Sequence, residues 1–437
     1  MKKSFIVFMI LGSFSSFAET QDCLGNICKG HSALSGDYVG KVTGIKNNKV
    51  IFQYLIDGSV SEMDPNTLSR EIPSKNNLKK DIYAVDGSYV GKVLRVFENG
   101  KVEFKYDVDG STSVIKDASP EISNKGNLKT GAKAVNETYT GKVVRVFENG
   151  KIEFKYDVDG SKSVINNASP EIGNKGNIKA GVKAVNETYT GKVLTVFENG
   201  KIEFKYDIDG SKSVINNASP ETTNLGNLKS GVSALASTYT GKVINVFENG
   251  KIEFKYDVDG SKSIINSASP ETKKHAKYQK EVAYATTDYD IVKALRFFEN
   301  GKIEVEGSGT YLCETLFEEV QELEGLKLGD ELITPNSIVA IQRLFANNTA
   351  EILIDGKLTS VRILTEEDLT NSYVRNYWVS SIKVDENQFT FPAGSAVKKK
   401  DYKKLLELIK KDLNVNVNDK SKEKLKKIID SELKKLN

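Results

Sequence analysis

Alternation with a period of two dominates this chain. In KIEFKYDV, residues 151–158, the apolar Ile152, Phe154, Tyr156 and Val158 alternate with the charged Lys151, Glu153, Lys155 and Asp157, which predicts a β-strand with one buried face. A helix would scatter those four apolar side chains around its circumference. The preceding YTGKVVRVFE is rich in β-branched and aromatic residues and is joined to this strand through Asn149-Gly150, so the two predict a hairpin whose turn needs positive φ. GAKAVNE and SKSVIN predict two further strands. ASPEI reads as a proline-containing turn, and NKGNIKAG, with no apolar run, reads as a connector.

The same succession recurs along the chain. Gly91, Gly141, Gly191 and Gly241 each open the word GKV at a spacing of 50 residues, and Gly40 opens it 51 residues before Gly91. Two looser copies follow, one keeping a central turn at Asn300-Gly301 and one spanning 326–364. The copies align the protein with itself. At the second turn position they place Gly100, Gly150, Gly200, Gly250, Gly301, Asn48 or Asn348, the two residue types that enter left-handed geometry most easily. The expected division is a leader at 1–18, an N-terminal arm at 19–28, and repeats at 29–77, 78–127, 128–177, 178–227, 228–276, 277–325 and 326–370. The last two repeats are degenerate; a connecting segment at 371–397 and a basic helical tail at 398–437 follow. A unit of this size closes one small barrel and no more, and short connectors let each unit touch the next in a semi-rigid rod.

Composition changes the picture in three places. Two lysines, an apolar run from Phe5 to Leu11 and small residues ending at Ala18 predict a secretory leader, and thus an exported protein of the periplasm, cell surface or medium. In that setting Cys23 and Cys28 of CLGNIC either close a small disulfide ring or remain as two thiols or an intermolecular link, while Cys313 reads as a structural thiol. Residues 398–437 carry 14 lysines against 7 acids, so the basic charge sits in the tail and the repeats are net acidic, which disfavours a nucleic-acid binder. In the tail Leu405, Leu406, Ile409 and Leu413 form one helical stripe and Leu425, Ile428, Ile429 and Leu436 another. They predict a helical hairpin packed on itself or on the last barrel; the alternatives are a peripheral contact with an anionic membrane or another acidic envelope surface, and coiled-coil self-association.

Candidate chemistry is sparse. His31 and His275 stand in no catalytic context, and no phosphate loop or metal-ligand spacing is present, so no catalytic residue, cofactor or metal is assigned. Asp157 and Asp159 in DVDGS resemble the start of a calcium loop, but glycine stands at the fourth position and no acid at the twelfth. Asp-Gly recurs at 57–58, 109–110, 159–160, 209–210, 259–260 and 355–356, whereas Leu55 and Leu353 replace the first aspartate, so the pair reads as a turn. The exposed positions shared by the repeats are the candidate ligand-binding residues: Tyr139, Glu148, Asn149 and Asp157, with Tyr189, Glu198, Asn199 and Asp207 one repeat later.

The order Leu-Lys-x-Gly, an Ala-Val strand, GKVVRVFENGKIEFKY and Asp-Gly before a final strand resembles the SH3-like small barrels of the Tudor and KOW type, over each of the seven units. The resemblance implies a mainly β fold, a tandem array of about seven small SH3-like barrels with a C-terminal α-helical hairpin. Tudor domains read methylated residues with an aromatic cage, for which Tyr139, Phe147 and Phe154 are the nearby aromatics. Exported bacterial SH3-like domains often bind peptidoglycan. The expected role is a non-enzymatic, multivalent binding array for cell-wall glycan or an envelope protein; the alternative is a mechanical spacer or stalk presenting the terminal segments.

Overall fold

The computed structural model describes residues 23–334, 337–371, 394–416 and 419–436. The leader expected at 1–18 and most of the segment 371–397, including Trp378 and the β-like QFTF, lie outside the described residues. The protein is mainly β, a long repeated strand array with a C-terminal helical region. It divides into two compact units, Met1–Pro220 and Glu221–Asn437.

The third repeat shows the plan. Its strands are β1 (Lys133–Asn136), β2 (Tyr139–Phe147), β3 (Ile152–Tyr156), β4 (Lys162–Ile165) and β5 (Ser169–Ile172). The first four pair antiparallel in sequence order, and β5 returns to β1 with Pro170 opposite Ala134 and Ser169 opposite Val135. Ala134, Val143, Val146, Ile152 and Phe154 fill the core, so the period-two face of β3 is buried as its pattern demands. Val158 is the exception: it lies past the strand end and is 72% exposed. A bulge between Val143 and Arg145 shifts the β2–β3 register and re-aims the side chains beyond it.

The glycine of GKV has a packing cause. A Cβ on Gly141 would sit 2.3 Å from the Lys155 carbonyl oxygen and 2.6 Å from Phe154 Cε1, so only glycine lets β2 pass this close to β3. The turn glycines act through the backbone instead, with φ of +88° at Gly150 and +71° at Gly160.

Two segments differ from the sequence reading. ASPEI is a strand and not a turn, because its backbone serves two repeats. Ser119–Ile122, the fifth strand of repeat 2, pairs with its own first strand at Ala84 and Val85 and then with β2 at Phe147 and Val146. NKGNIKAG is a tight hairpin, Asn174–Lys175 against Ile178–Lys179, turning at Gly176 with φ of +60°. Adjacent repeats of the first unit are therefore joined through paired backbone. Leu68–Ile72 pairs with Val96 and Phe97, and β5 pairs with Val196 and Phe197.

The N-terminal arm at 19–28 is a further correction. Cys23–Leu24 and Ile27–Cys28 form the first copy of the same hairpin, 51 residues before Ser74–Lys75 and Leu78–Lys79, and Leu24 and Ile27 pack on the core of repeat 1. Its two strands are joined by the Cys23–Cys28 disulfide.

In the second unit the last barrel is closed by Glu331–Ile333, Ile338–Leu344, Thr349–Ile354, Lys357–Ile363 and Ser395–Lys398. The fifth strand comes from residues assigned in sequence to the connector and tail, and it pairs parallel to its neighbour, Arg362 opposite Ser395. The short α1 (Glu366–Thr370), started by a Thr365–Asp368 capping box, precedes α2 (Lys399–Asn416) and α3 (Asp419–Lys435). Leu405, Leu406, Ile409, Leu425 and Ile429 are buried with Ile333, Leu364, Leu369 and Val397, so the apolar stripes of the tail are spent on the last barrel. No helix among the described residues is long and apolar enough to cross a membrane.

Candidate functional site

The eight candidate residues fall into two places. Tyr139 and Tyr189 stand at the starts of their second strands, 52% and 49% exposed, each with a T-shaped partner 6.0 Å away at Tyr156 or Tyr206. The same exposed pair recurs at Tyr38–Tyr54, Tyr89–Tyr106 and Tyr239–Tyr256. The Asp157 and Asp207 backbone N–H groups donate to the Thr140 and Thr190 carbonyls, and the Asp207 carboxylate lies 3.9 Å from Lys183 Nζ.

The Asp-Gly tip next to them is built as a turn. Ser161 N–H donates to Asp159 Oδ1 at 2.9 Å, and hydrogen bonds from the Ser161 hydroxyl and backbone hold the carboxyl below its usual range. Asp57, Asp109, Asp209 and Asp259 repeat that arrangement. Among the described residues, no three His, Cys, Asp or Glu side chains are gathered as a metal site.

Glu148, Asn149, Glu198 and Asn199 lie at the joints between repeats. The Glu148 and Glu198 N–H groups donate to the Pro120 and Pro170 carbonyls of the preceding repeat at 3.0 Å. Their carboxylates accept from Asn77 and Asn127 of the junction hairpins at 3.0 and 2.7 Å. Asn149 N–H donates to Ser119 Oγ and Asn199 N–H to Ser169 Oγ, while each Asn side chain caps its own turn at Lys151 or Lys201. Glu198 and Asn199 also line a cleft of about 620 Å³ shared with Asn136, Glu137, Asn167 and Ser169 of repeat 3. Glu137 turns its backbone at φ +50° where repeats 1 and 2 use Gly36 and Gly87, and its carbonyl accepts from Lys201 Nζ at 2.6 Å.

Two groups of joint residues escaped the sequence reading. Phe147 ends β2 beside Val146, and because neighbouring strand positions face opposite ways, Val146 enters its own core while Phe147 leaves it. The first joint shows the destination: Phe97 is buried between Leu34 and Val39 of repeat 1. Phe97, Phe147, Phe197, Phe247, Phe298 and Phe345 all occupy this position fully buried. Phe147 and Phe154, two of the three aromatics suggested by the Tudor resemblance, are thus committed to packing.

The second group is a set of carboxylates. The alternation puts Glu153 on the solvent face of β3, yet it is only 6% exposed. Arg145 on β2 binds it, lies 3.7 Å from Glu121 of the preceding repeat, and places its guanidinium 3.6 Å over the Tyr83 ring. In repeat 4 a threonine replaces the arginine, and Glu203 is bound by Thr195 at 2.9 Å and by Lys133 of repeat 3 at 2.6 Å. In the second unit Arg296 binds Glu304 and reaches Asp257 and Thr240 of the preceding repeat. The arginine missing from one repeat and the lysine gained in its neighbour were visible in the sequence, but pairing them required the joint.

Both histidines accept hydrogen bonds from nearby backbone. His31 Nδ1 accepts from Cys28 N–H, and His275 Nδ1 accepts from Lys277 and Tyr278 N–H while its ring stacks on Tyr278. Burial, followed by the nearby Asp288 and Asp290 carboxylates, pushes the Cys313 thiol up, away from the thiolate form a nucleophile needs. No family model matches the chain, and no curated protein matches it.

Proposed function

We propose that this chain is a non-enzymatic, exported array of SH3-like barrels that binds a repetitive envelope polymer, cell-wall glycan first among the candidates, through its tyrosine faces. One observation carries the reading. The exposed tyrosine at Tyr38, Tyr89, Tyr139, Tyr189 and Tyr239 recurs with its edge-on partner, and core packing accounts for the partner but leaves the outer ring half in solvent. A flat aromatic face suits a sugar, which stacks its ring on such a face and hydrogen-bonds its hydroxyls to nearby polar groups. Weak single contacts repeated along one chain add as avidity when the ligand repeats too. The five-stranded meander, whose fifth strand returns to the first, supports the SH3-like assignment.

The full-length protein is expected to co-sediment with purified cell wall, and alanine at the five tyrosines is expected to abolish it while leaving the far-ultraviolet spectrum unchanged. Co-sedimentation unaffected by the five substitutions, or none by the parent protein, would overturn this reading. A second reading, a spacer that presents its terminal segments, is favoured by the use of Glu148, Asn149, Glu198 and Asn199 in joints. It expects no binding to wall or membrane fractions.

A further inference from the structure

Each joint has two halves. One repeat contributes a phenylalanine from the end of its second strand, as at Phe97, and the other a socket beside the first strand, as at Leu34 and Val39. Paired backbone between the fifth and second strands fixes the register.

Repeat 1 departs from this plan at its own second-strand end. Lys46 stands where the other six repeats carry the buried phenylalanine, and it is exposed. Gly44 and Ile51 replace the Arg95 and Glu103 of repeat 2, removing the carboxylate that the joint would cover. The hairpin tightens to a two-residue Asn47-Asn48 turn with positive φ at both positions. An ammonium pushed into an apolar socket loses its hydration without gaining a partner, and a lysine on an open strand edge is a known guard against edge pairing.

Repeat 7 departs at the opposite half. Ile333 faces Ile338 in the register by which Leu34 faces Val39, so it marks the last socket. Instead of a phenylalanine, Tyr402, Leu405, Leu406 and Ile409 of α2 pack with Ile333. The basic helices thus act as a lid on an apolar surface that would otherwise fit another repeat.

We infer that repeats 1 and 7 are terminating caps, and that the two surfaces they close are complementary to each other in a second copy of this chain. Lys46 at one end and α2 at the other keep copies from joining end to end, as capping repeats do in stacked-repeat proteins. A heterologous joint of this kind would not close on itself and would grow into filaments if both caps were lost.

The test opens one cap per molecule. Full-length Lys46→Phe and full-length Leu406→Asp are each expected to sediment as single copies, since each retains one closed end. Mixed in equal amounts they are expected to form a species of twice the mass, and a chain carrying both substitutions is expected to grow further with concentration. A variant in which residues 44–48 are replaced by a copy of residues 95–100 supplies the wider loop with the knob and is expected to strengthen the pairing. No doubled species with either knob variant, while the Glu331–Ile333 amides stay protected, would overturn the inference.

If Leu406→Asp unfolds the last barrel, Leu406→Ala takes its place in the mixture. A mixture that stays single-copy while residues 405–409 exchange and the Glu331–Ile333 amides remain protected would overturn the inference.

Discussion

Repeats 3 and 6 build one framework from different volumes. In repeat 3 the core pairs small residues on β1 and β2, Ala134 and Gly141, with large ones on β3, Phe154 and Tyr156. Repeat 6 reverses the distribution. Tyr284 and Val292 stand at the first two positions, Val305 and Gly307 at the last two. A Cβ on Gly307 would meet Val292 Cγ1 at 3.0 Å, so the glycine has moved across the strand pair with the bulk. What the two repeats share is equally informative: the phenylalanine of the joint, at Phe147 and Phe298, and the arginine–glutamate pair, at 145–153 and 296–304. Core identity is interchangeable at constant volume, whereas the side chains facing the next repeat are held by a partner that must match.

The joint sets the largest expected effect. Phe147→Ala and Phe298→Ala should each cost about 3–5 kcal/mol, as truncation of a buried aromatic does. Both should release the amides of the flanking repeats in hydrogen exchange, and a loss confined to the mutated repeat would remove the joint from the shared features. Next comes the volume exchange. Gly141→Val should cost about 3 kcal/mol because its side chain meets the Phe154 ring and the Lys155 carbonyl behind which that ring is packed, while Val292→Gly, which leaves space, should cost about 1–2 kcal/mol. Adding Phe154→Val and Tyr156→Gly to Gly141→Val should recover most of the loss in thermal melts; no recovery would mean that the two cores are not equivalent solutions.

Removal of the arginine should be smaller and unequal. Arg145→Ala leaves the buried Glu153 with only Lys162, 3.6 Å away, as a cation, at about 2–3 kcal/mol. Arg296→Ala should cost more, since Arg296 hydrogen-bonds Asp257 and Thr240 of the preceding repeat, where Arg145 has only the more distant Glu121 carboxylate and the Tyr83 ring. Equal costs in denaturant titrations would show that the two hydrogen bonds contribute no more than the Glu121 and Tyr83 contacts.

The smallest effects follow pH. Burial, followed by a hydrogen bond to Asp86, pushes Tyr106 up to about 12. The neutral ring is therefore the one that folding favours; its contribution is complete below the unfolded value of 10.0 and fades as pH rises towards 12. The Asp159 carboxyl is lowered, so its contribution is complete above the unfolded value of 3.8 and is lost as pH falls through the folded one. Repeat 6 has no Asp-Gly tip, so acid loosening should spare it, whereas burial also raises its own Tyr311, so alkaline loosening should not. Titration of the Ser111, Ser161 and Thr310 amide signals by NMR would check this, and parallel acid shifts at Thr310 would contradict it.

Much of the strand framework was legible because it depends on local rules. Alternation placed Ile152 and Phe154 inward, and the restriction to Gly or Asn at 48, 100, 150 and 348 anticipated the positive φ found there. ASPEI failed because a proline next to acids and alanine looks like a turn when read alone. Its strand character comes from two partners, Val85 before it and Phe147 after it in the chain. Among the candidate residues, exposure of Tyr139 and Asp157 followed from strand phase, while the engagement of Glu148 and Asn149 depends on groups 71 and 30 residues away.

The sequence by itself determined the repeat, its strands, its left-handed turns and the face each strand would bury, because these follow from side-chain period and backbone sterics within a few residues. Only the tertiary structure decided which outward positions meet solvent and which meet the next repeat. Glu153 and Lys155 share one strand face and similar polarity, yet one is buried against an arginine and the other is exposed. That difference arises where two repeats are brought together by a strand they share, and no local pattern encodes it.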